Sequence, residues 1–200
     1  MSLKIGILIF DDAEELDFVG PFEVFTMASF VKPGFCDVKL IAERDAPVRC
    51  ANGMRVLPDA TTANCGALDV LLVPGGQGTR REVDNKPLLD WIAGVAKSAR
   101  WITSVCTGAM LLTAAGPARG KRVTTHWAYI PALRERGEAS EVLEHYRYVQ
   151  DGNVVTSAGV SAGIDMALWL VGQLGDIPFA RAVQRRMEYE PLPPYGGLVE

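Results

Sequence analysis

The chain has 200 residues, of which 48% are hydrophobic and 22% charged, and its formal net charge is −4. A chain of this size hides roughly 70% of the surface it would expose unfolded, enough for one well-buried domain, expected over residues 1–200 with a Pro/Gly-rich tail from 191. The charge balance excludes the basic footprint of a nucleic-acid-binding domain. No apolar run reaches the ~18 residues of a membrane span, so a soluble, cytoplasmic protein that contacts neither nucleic acid nor membrane is expected.

The N-terminal MSLKIGILIFDD lacks a signal-peptide cleavage pattern and predicts a first strand over Lys4 to Phe10. Further β-branched runs predict strands over Asp37 to Ala42, Val70 to Val73, Trp101 to Val105 and Val154 to Ser157, with helical patterns between them. Continuously apolar strands suit a parallel sheet covered on both faces, so the expected fold class is a doubly wound α/β domain. Pro87 to Ala96 places Leu88, Trp91, Ile92 and Val95 on one helical face. Ser161 to Gly172 is apolar nearly all round, with Ser161 as a plausible N-cap; such a helix needs cover on both sides, and a dimer partner is one candidate. Ile177 to Glu190 reads as a last amphipathic helix, which the prolines from Pro191 onward cannot continue.

Four cysteines, Cys36, Cys50, Cys65 and Cys106, form neither a C-x-x-C nor a Cys/His pattern. With two histidines and no H-E-x-x-H, no metal site is expected. The first three cysteines read as small hydrophobes. Arg80-Arg81 and Arg185-Arg186 read as solvated surface or local ion pairs.

In an α/β sheet, ligands sit outside the carboxyl ends of the strands. Cys106, in Ser104-Val-Cys-Thr-Gly108, ends a strand and runs straight into a helix, the form of a nucleophile elbow with sulfur in place of oxygen. The helix dipole and free N–H groups there favour a thiolate. Spacing alone leaves this reading open beside that of a buried filler. Pro74-Gly75-Gly76, after another strand, permits close backbone approach and offers N–H groups to a developing negative charge, or is an ordinary tight turn. Asp17 stands between Leu16 and Phe18, an apolar setting that raises a carboxyl's pKa; it is either a proton donor to Cys106 or a capping or solvent-facing acid. His126, in Val123-Thr-Thr-His-Trp127, is a candidate base for a Cys/His pair or a structural histidine, and His145 reads as surface. Aromatic side chains either shape an apolar pocket or fill the core.

Taken together, LDFVGPFEVF, DVLLVPGGQG, WITSVCTGAMLLTAAG, RVTTHWAYIP, NVVTSAGVSAGIDMAL and MEYEPLPPYGG resemble the ThiJ/PfpI superfamily of class I glutamine-amidotransferase-like proteins, from about Lys4 to Gly197. The resemblance implies a flavodoxin-like α/β sandwich, a homodimer, and no cofactor. It also implies that Cys106 is the nucleophile, Asp17 its acidic partner, and Gly75 and Gly76 backbone donors near the sulfur. Gly159 and Val160 match pocket-lining positions. Thr107 stands where the PfpI-type proteases carry histidine, which argues against peptidase activity and leaves Thr107 to orient substrate or water. Within the superfamily the motifs are most similar to those of members that hydrate isocyanides to N-substituted formamides through a thioimidate. Glyoxalase or deglycase chemistry is the alternative, as is an amidotransferase-like ligand or oxidative-stress sensor. A DNA-binding regulator is disfavoured because no helix-turn-helix region follows before Glu200.

Overall fold

A computed structural model describes residues 2–191. Apart from Pro191, the Pro/Gly-rich tail lies outside the described residues.

The first unit is β1 (Leu3–Leu8), α1 (Glu15–Val31) and β2 (Cys36–Ala42), followed by the short strands β3 (Val48–Arg49), β4 (Arg55–Val56) and β5 (Ala60–Thr61). Next come β6 (Val70–Val73), α2 (Thr79–Glu82), α3 (Lys86–Ala96), β7 (Trp101–Val105) and α4 (Gly108–Ala115). The last part holds β8 (Arg122–Val123), a 3-10 turn at Trp127–Tyr129, α5 (Ile130–Glu135), β9 (Glu141–Val142), β10 (Tyr148–Asp151), β11 (Val154–Ser157), α6 (Ala162–Leu174) and α7 (Ile177–Arg186). Seven strands form one sheet in the order β10-β11-β7-β6-β1-β2-β5, parallel throughout except for the β10–β11 hairpin. Helices α1, α6 and α7 pack together on the sheet, while α3 packs with α4. The doubly wound α/β expectation therefore holds.

All four residues of β6 and Ile5 to Leu8 of β1, apart from Gly6, are apolar and fully buried, as a sheet covered on both faces requires. Phe18 and Phe25 of α1 are equally buried, each worth roughly 1.5–3 kcal/mol of apolar transfer. β6, β7 and β11 have the expected bounds. β1 stops at Leu8, not Phe10, because the chain leaves the ladder after one more bond, Ile9 N–H to Ile41 O at 2.8 Å, and turns at Asp12 with φ 63°. Helix α6 packs within the chain against α1 and α7. Ser161 occupies its N-cap position without capping it; the hydroxyl instead accepts from Arg147 at 3.1 Å.

The chain proceeds from β1 to β2 on one side and then to β6 on the other side of β1, so the direction of winding reverses between β1 and β6. A crevice opens outside the strand ends at such a point. The segments after β1, β6 and β7 carry Asp17, Gly75 and Cys106.

Candidate active site

Cys106 follows β7 directly and adopts φ 55°, a left-handed conformation that costs a non-glycine residue on the order of 1 kcal/mol. The backbone is held there from two sides. Its N–H donates to the carbonyls of Ser157 (3.1 Å) and Ala158 (3.3 Å), and its own carbonyl accepts from Thr125 Oγ1 at 2.7 Å. β11 and the segment after β8 thus fix the turn that the elbow spacing predicts. The side chain is only 6% exposed.

Asp17 lies in the first turn of α1, wholly buried, with Oδ2 accepting from the Gly75 N–H at 2.9 Å. Oδ1 is buried and has no partner of hydrogen-bond geometry. Burial pushes the Asp17 carboxyl up to about 7; the Gly75 N–H opposes that rise, the Glu14 charge adds to it, and the Cys106 thiol opposes it. Burial also pushes the Cys106 thiol up, to about 12, and the Asp17 charge adds to this, while the Thr107 N–H and hydroxyl pull it down. The sequence expectation of a thiolate favoured by the helix start is therefore corrected. The helix-start N–H does act in that direction, but desolvation and the neighbouring carboxylate outweigh it. Burial thus pushes both groups toward their neutral forms.

Gly75 permits this crowding. A Cβ there would lie 2.5 Å from Thr107 N, 2.7 Å from Thr107 Oγ1 and 2.8 Å from Cys106 Cβ, so only glycine fits between β6 and the elbow. The N–H groups of Gly75 and Gly76 do flank the site, but they are engaged: Gly75 holds Asp17, and Gly76 donates to Thr107 Oγ1 at 3.1 Å. They position the acid and the threonine instead of presenting free donors to a substrate. Glu14 N–H donates to Gly75 O at 3.0 Å and Ala13 bridges Gly76, which ties the start of α1 to the same loop.

Thr107 is 1% exposed, and its hydroxyl also meets Thr79 Oγ1 at 3.1 Å and Gly76 O at 3.3 Å. Thr79 and Arg80 did not figure among the sequence candidates. Arg81 makes the expected ion pairs, with Asp12 (3.3 Å) and Glu82 (2.8 Å), whereas Arg80 turns inward, donating to Gly76 O at 2.7 Å and stacking over the Tyr129 ring at 4.2 Å. The one available signal was the position of Thr79 and Arg80 just beyond the Pro-Gly-Gly turn.

His126 is half-buried, and its Nδ1 accepts from the Ala128 N–H at 3.2 Å. That contact engages Nδ1 with the backbone and caps the 3-10 turn, as a structural histidine does. A Cβ at Gly159 would sit 2.3 Å from its ring, so Gly159 makes room for it. Val160, half-buried, leads into α6. Beside Thr125 and Ala158 lies a cavity of about 290 Å³, also lined by Trp127, Ile130, Tyr146 and Gly159. Trp127 and Tyr146, both exposed, are aromatics that border this cavity, while Phe18 and Phe25 fill the core. His145 is exposed, as expected. Among the described residues no three His, Cys, Asp or Glu side chains cluster to hold a metal ion.

No described helix is long and apolar enough to cross a membrane. The model of the DJ-1/PfpI family matches residues 3–173. The isonitrile hydratase of Pseudomonas putida is 41% identical over 195 residues, spanning 98% of this chain and 82% of that protein. Among solved structures, a ThiJ/PfpI family protein from Pseudomonas syringae superposes with TM-score 0.88 at 33% identity, covering 98% of this chain and 78% of that one. Drosophila melanogaster DJ-1beta superposes with TM-score 0.84 at 22% identity, covering 96% and 100%, and shares the fold. With a family match over most of its length and an elbow cysteine beside a buried acid, the chain belongs to the DJ-1/PfpI family.

Proposed function

We propose that the protein is a cysteine-dependent isocyanide hydratase. One observation carries this reading: a cysteine held at positive φ on the elbow stands beside a buried carboxyl whose pKa lies near 7. The 41% identity to an isonitrile hydratase, isonitrile being another name for isocyanide, supports the choice of substrate.

In this scheme Asp17 takes the proton of the Cys106 thiol as Sγ attacks the terminal carbon of R–N≡C. The new S–C bond leaves that carbon to be protonated by Asp17, which gives a thioimidate, R–N=CH–S–Cys106. Water then adds to the same carbon, the C–S bond breaks, sulfur recovers its proton through Asp17, and R–NH–CHO departs. The atoms balance with one isocyanide and one water. A base with a pKa near 7 is better matched to the thiol than an ordinary carboxylate and about half ionised at neutral pH, the compromise that general acid–base catalysis favours. Thr107, through its N–H and hydroxyl, supports the sulfur. Gly159 borders the cavity beside Thr125, and the His126 ring packs against it.

We extend the proposal to assembly and place. Leu16 and Val19, three residues apart on α1 and over a third exposed, offer apolar surface beside Asp17 for the homodimer that the family resemblance implies. Four free cysteines suit a reducing cytoplasm. Sedimentation at micromolar concentration tests the dimer.

The test of function is formamide production from a simple alkyl or aryl isocyanide. The wild-type protein is expected to turn over, Cys106→Ser to fall close to the buffer rate, and Asp17→Asn to keep only a small residual rate. Consumption of methylglyoxal in place of the isocyanide would move the reading to glyoxalase-type chemistry.

A further inference from the structure

Three donors converge on the Gly76 carbonyl: Arg80 Nη1 at 2.7 Å, Thr79 Oγ1 at 2.8 Å and Thr107 Oγ1 at 3.3 Å. A carbonyl oxygen has two lone pairs, so one of the three is in excess. Arg80, the charged and shortest donor, keeps its place. The Thr79 hydroxyl has a second acceptor, Thr107 Oγ1, 3.1 Å away. Thr107 Oγ1 in turn accepts from the Gly76 N–H at 3.1 Å and adjoins Cys106, whose thiol pKa the Thr107 N–H and hydroxyl pull down. Thr107 Oγ1 and Cys106 Cβ face the same point above Gly75, within 2.7 and 2.8 Å of it.

We propose that Thr79 and Arg80 are positioning residues for the nucleophile, forming a hydroxyl relay that turns from the Gly76 carbonyl onto the Cys106 sulfur when its proton passes to Asp17. With the thiol intact, Thr107 O–H donates to Gly76 O. As the S–H proton moves to the Asp17 carboxylate, Thr107 O–H rotates to the thiolate, Thr79 O–H rotates to the Thr107 oxygen, which keeps the Gly76 N–H as its other donor, and Arg80 alone holds Gly76 O. No covalent bond other than S–H and O–H of Asp17 changes.

Arg80 suits this role because it forms no ion pair among the described residues, and its guanidinium is steadied from the far side by the Tyr129 ring. Its charge is also 3.4 Å from Thr79 Oγ1, so it biases the whole chain of dipoles toward a negative sulfur. The charged and titratable groups around the sulfur are Asp17 from α1, with Glu14 behind it, Arg80 from α2, and His126 across Gly159. The relay rests on the reading of Cys106 as a nucleophile, but not on what it attacks.

The test is the rate of Cys106 alkylation by iodoacetamide between pH 6 and 10, located by peptide mass, since it needs no isocyanide. Thr79→Val is expected to slow alkylation at pH 8 about tenfold, equivalent to a thiol midpoint raised by about one pH unit. Thr79→Ser keeps the hydroxyl and is expected to stay within about twofold of wild type, and Arg80→Gln to lose about threefold, because a bond to a charged group is lost one step further away. Should Thr79→Val show no cooperative melt, the Arg80→Gln and Thr79→Ser rates decide. A wild-type rate and pH profile in Thr79→Val or Arg80→Gln overturns the relay, as does equal slowing by the Ser and Val variants, which marks a purely structural residue. Failure of hydration with these alkylation effects intact sinks the hydratase reading alone.

Discussion

Cys36 and Cys106 are both free thiols at strand ends, 8% and 6% exposed, and burial raises the thiol pKa of each. Cys36 sits in the regular ladder of β2, and its sulfur is satisfied by neutral neighbours, Ser29 Oγ and the Phe25 carbonyl, both at 3.2 Å. Cys106 sits on a left-handed turn beside a carboxyl with a pKa near its working range, and a hydroxyl chain leads away from it. Burial is therefore not what separates a nucleophile from a filler. The separation comes from a backbone that lifts the sulfur off the sheet and from a neighbour able to take its proton.

Exchanging the sulfurs for oxygen breaks the comparison most sharply. Cys106→Ser is expected to lower kcat/KM for hydration by on the order of 10³-fold or more, as removal of a nucleophile does, while Cys36→Ser leaves it within twofold. Steady-state formamide assays on the two variants check this.

Asp17→Asn removes the proton acceptor and is expected to cost about 10²–10⁴-fold. The wild-type kcat/KM should rise with pH through about 7, where Asp17 ionises, and this limb should vanish from the variant's residual activity. Stability moves the other way. A carboxyl raised to about 7 from its ordinary 3.8 favours the folded state fully below about pH 4, and that contribution is lost as pH rises through 7. Above that point the buried charge costs on the order of 4 kcal/mol. Asp17→Asn is thus expected to raise Tm by several degrees at pH 8 and to leave it nearly unchanged at pH 4, as calorimetry at the two pH values would show.

Gly75→Ala tests geometry without replacing either reacting group. Its methyl would meet Thr107 N at 2.5 Å, which must push the elbow away from Asp17. A shift approaching 1 Å costs about 10²-fold in kcat, which steady-state assays check. The smallest expected effect is at the quiet cysteine: Cys36→Ala loses its contacts with Ser29 and Phe25 and should lower stability by about 1 kcal/mol in urea unfolding, with hydration unaffected.

The central strands, the elbow and its glycines were legible in the sequence because each is local: an apolar run fixes a buried strand, and a strand, Cys and Gly in series fix a turn. The edge strand β10 was missed, although Asp151-Gly152 before VVTS is a hairpin signal, because Tyr148–Asp151 mixes polar and apolar residues. Arg80 was read with Arg81 as surface charge. Neither its turn onto Gly76 O nor Tyr129 above it is visible without the tertiary fold that brings residue 129 to residue 80. The thiol's ionisation was misjudged for a related reason: a helix start can be read from sequence, but the desolvation around Cys106 depends on α1, β6 and β11 closing over it.

The central claim is that hydration passes through the Cys106 sulfur. Titrating the protein with iodoacetamide, while following formamide release against the fraction of Cys106 alkylated, tests it directly. Activity should fall in linear proportion to that fraction and reach the buffer rate when Cys106 is fully alkylated; formamide release undiminished at full alkylation would contradict the account.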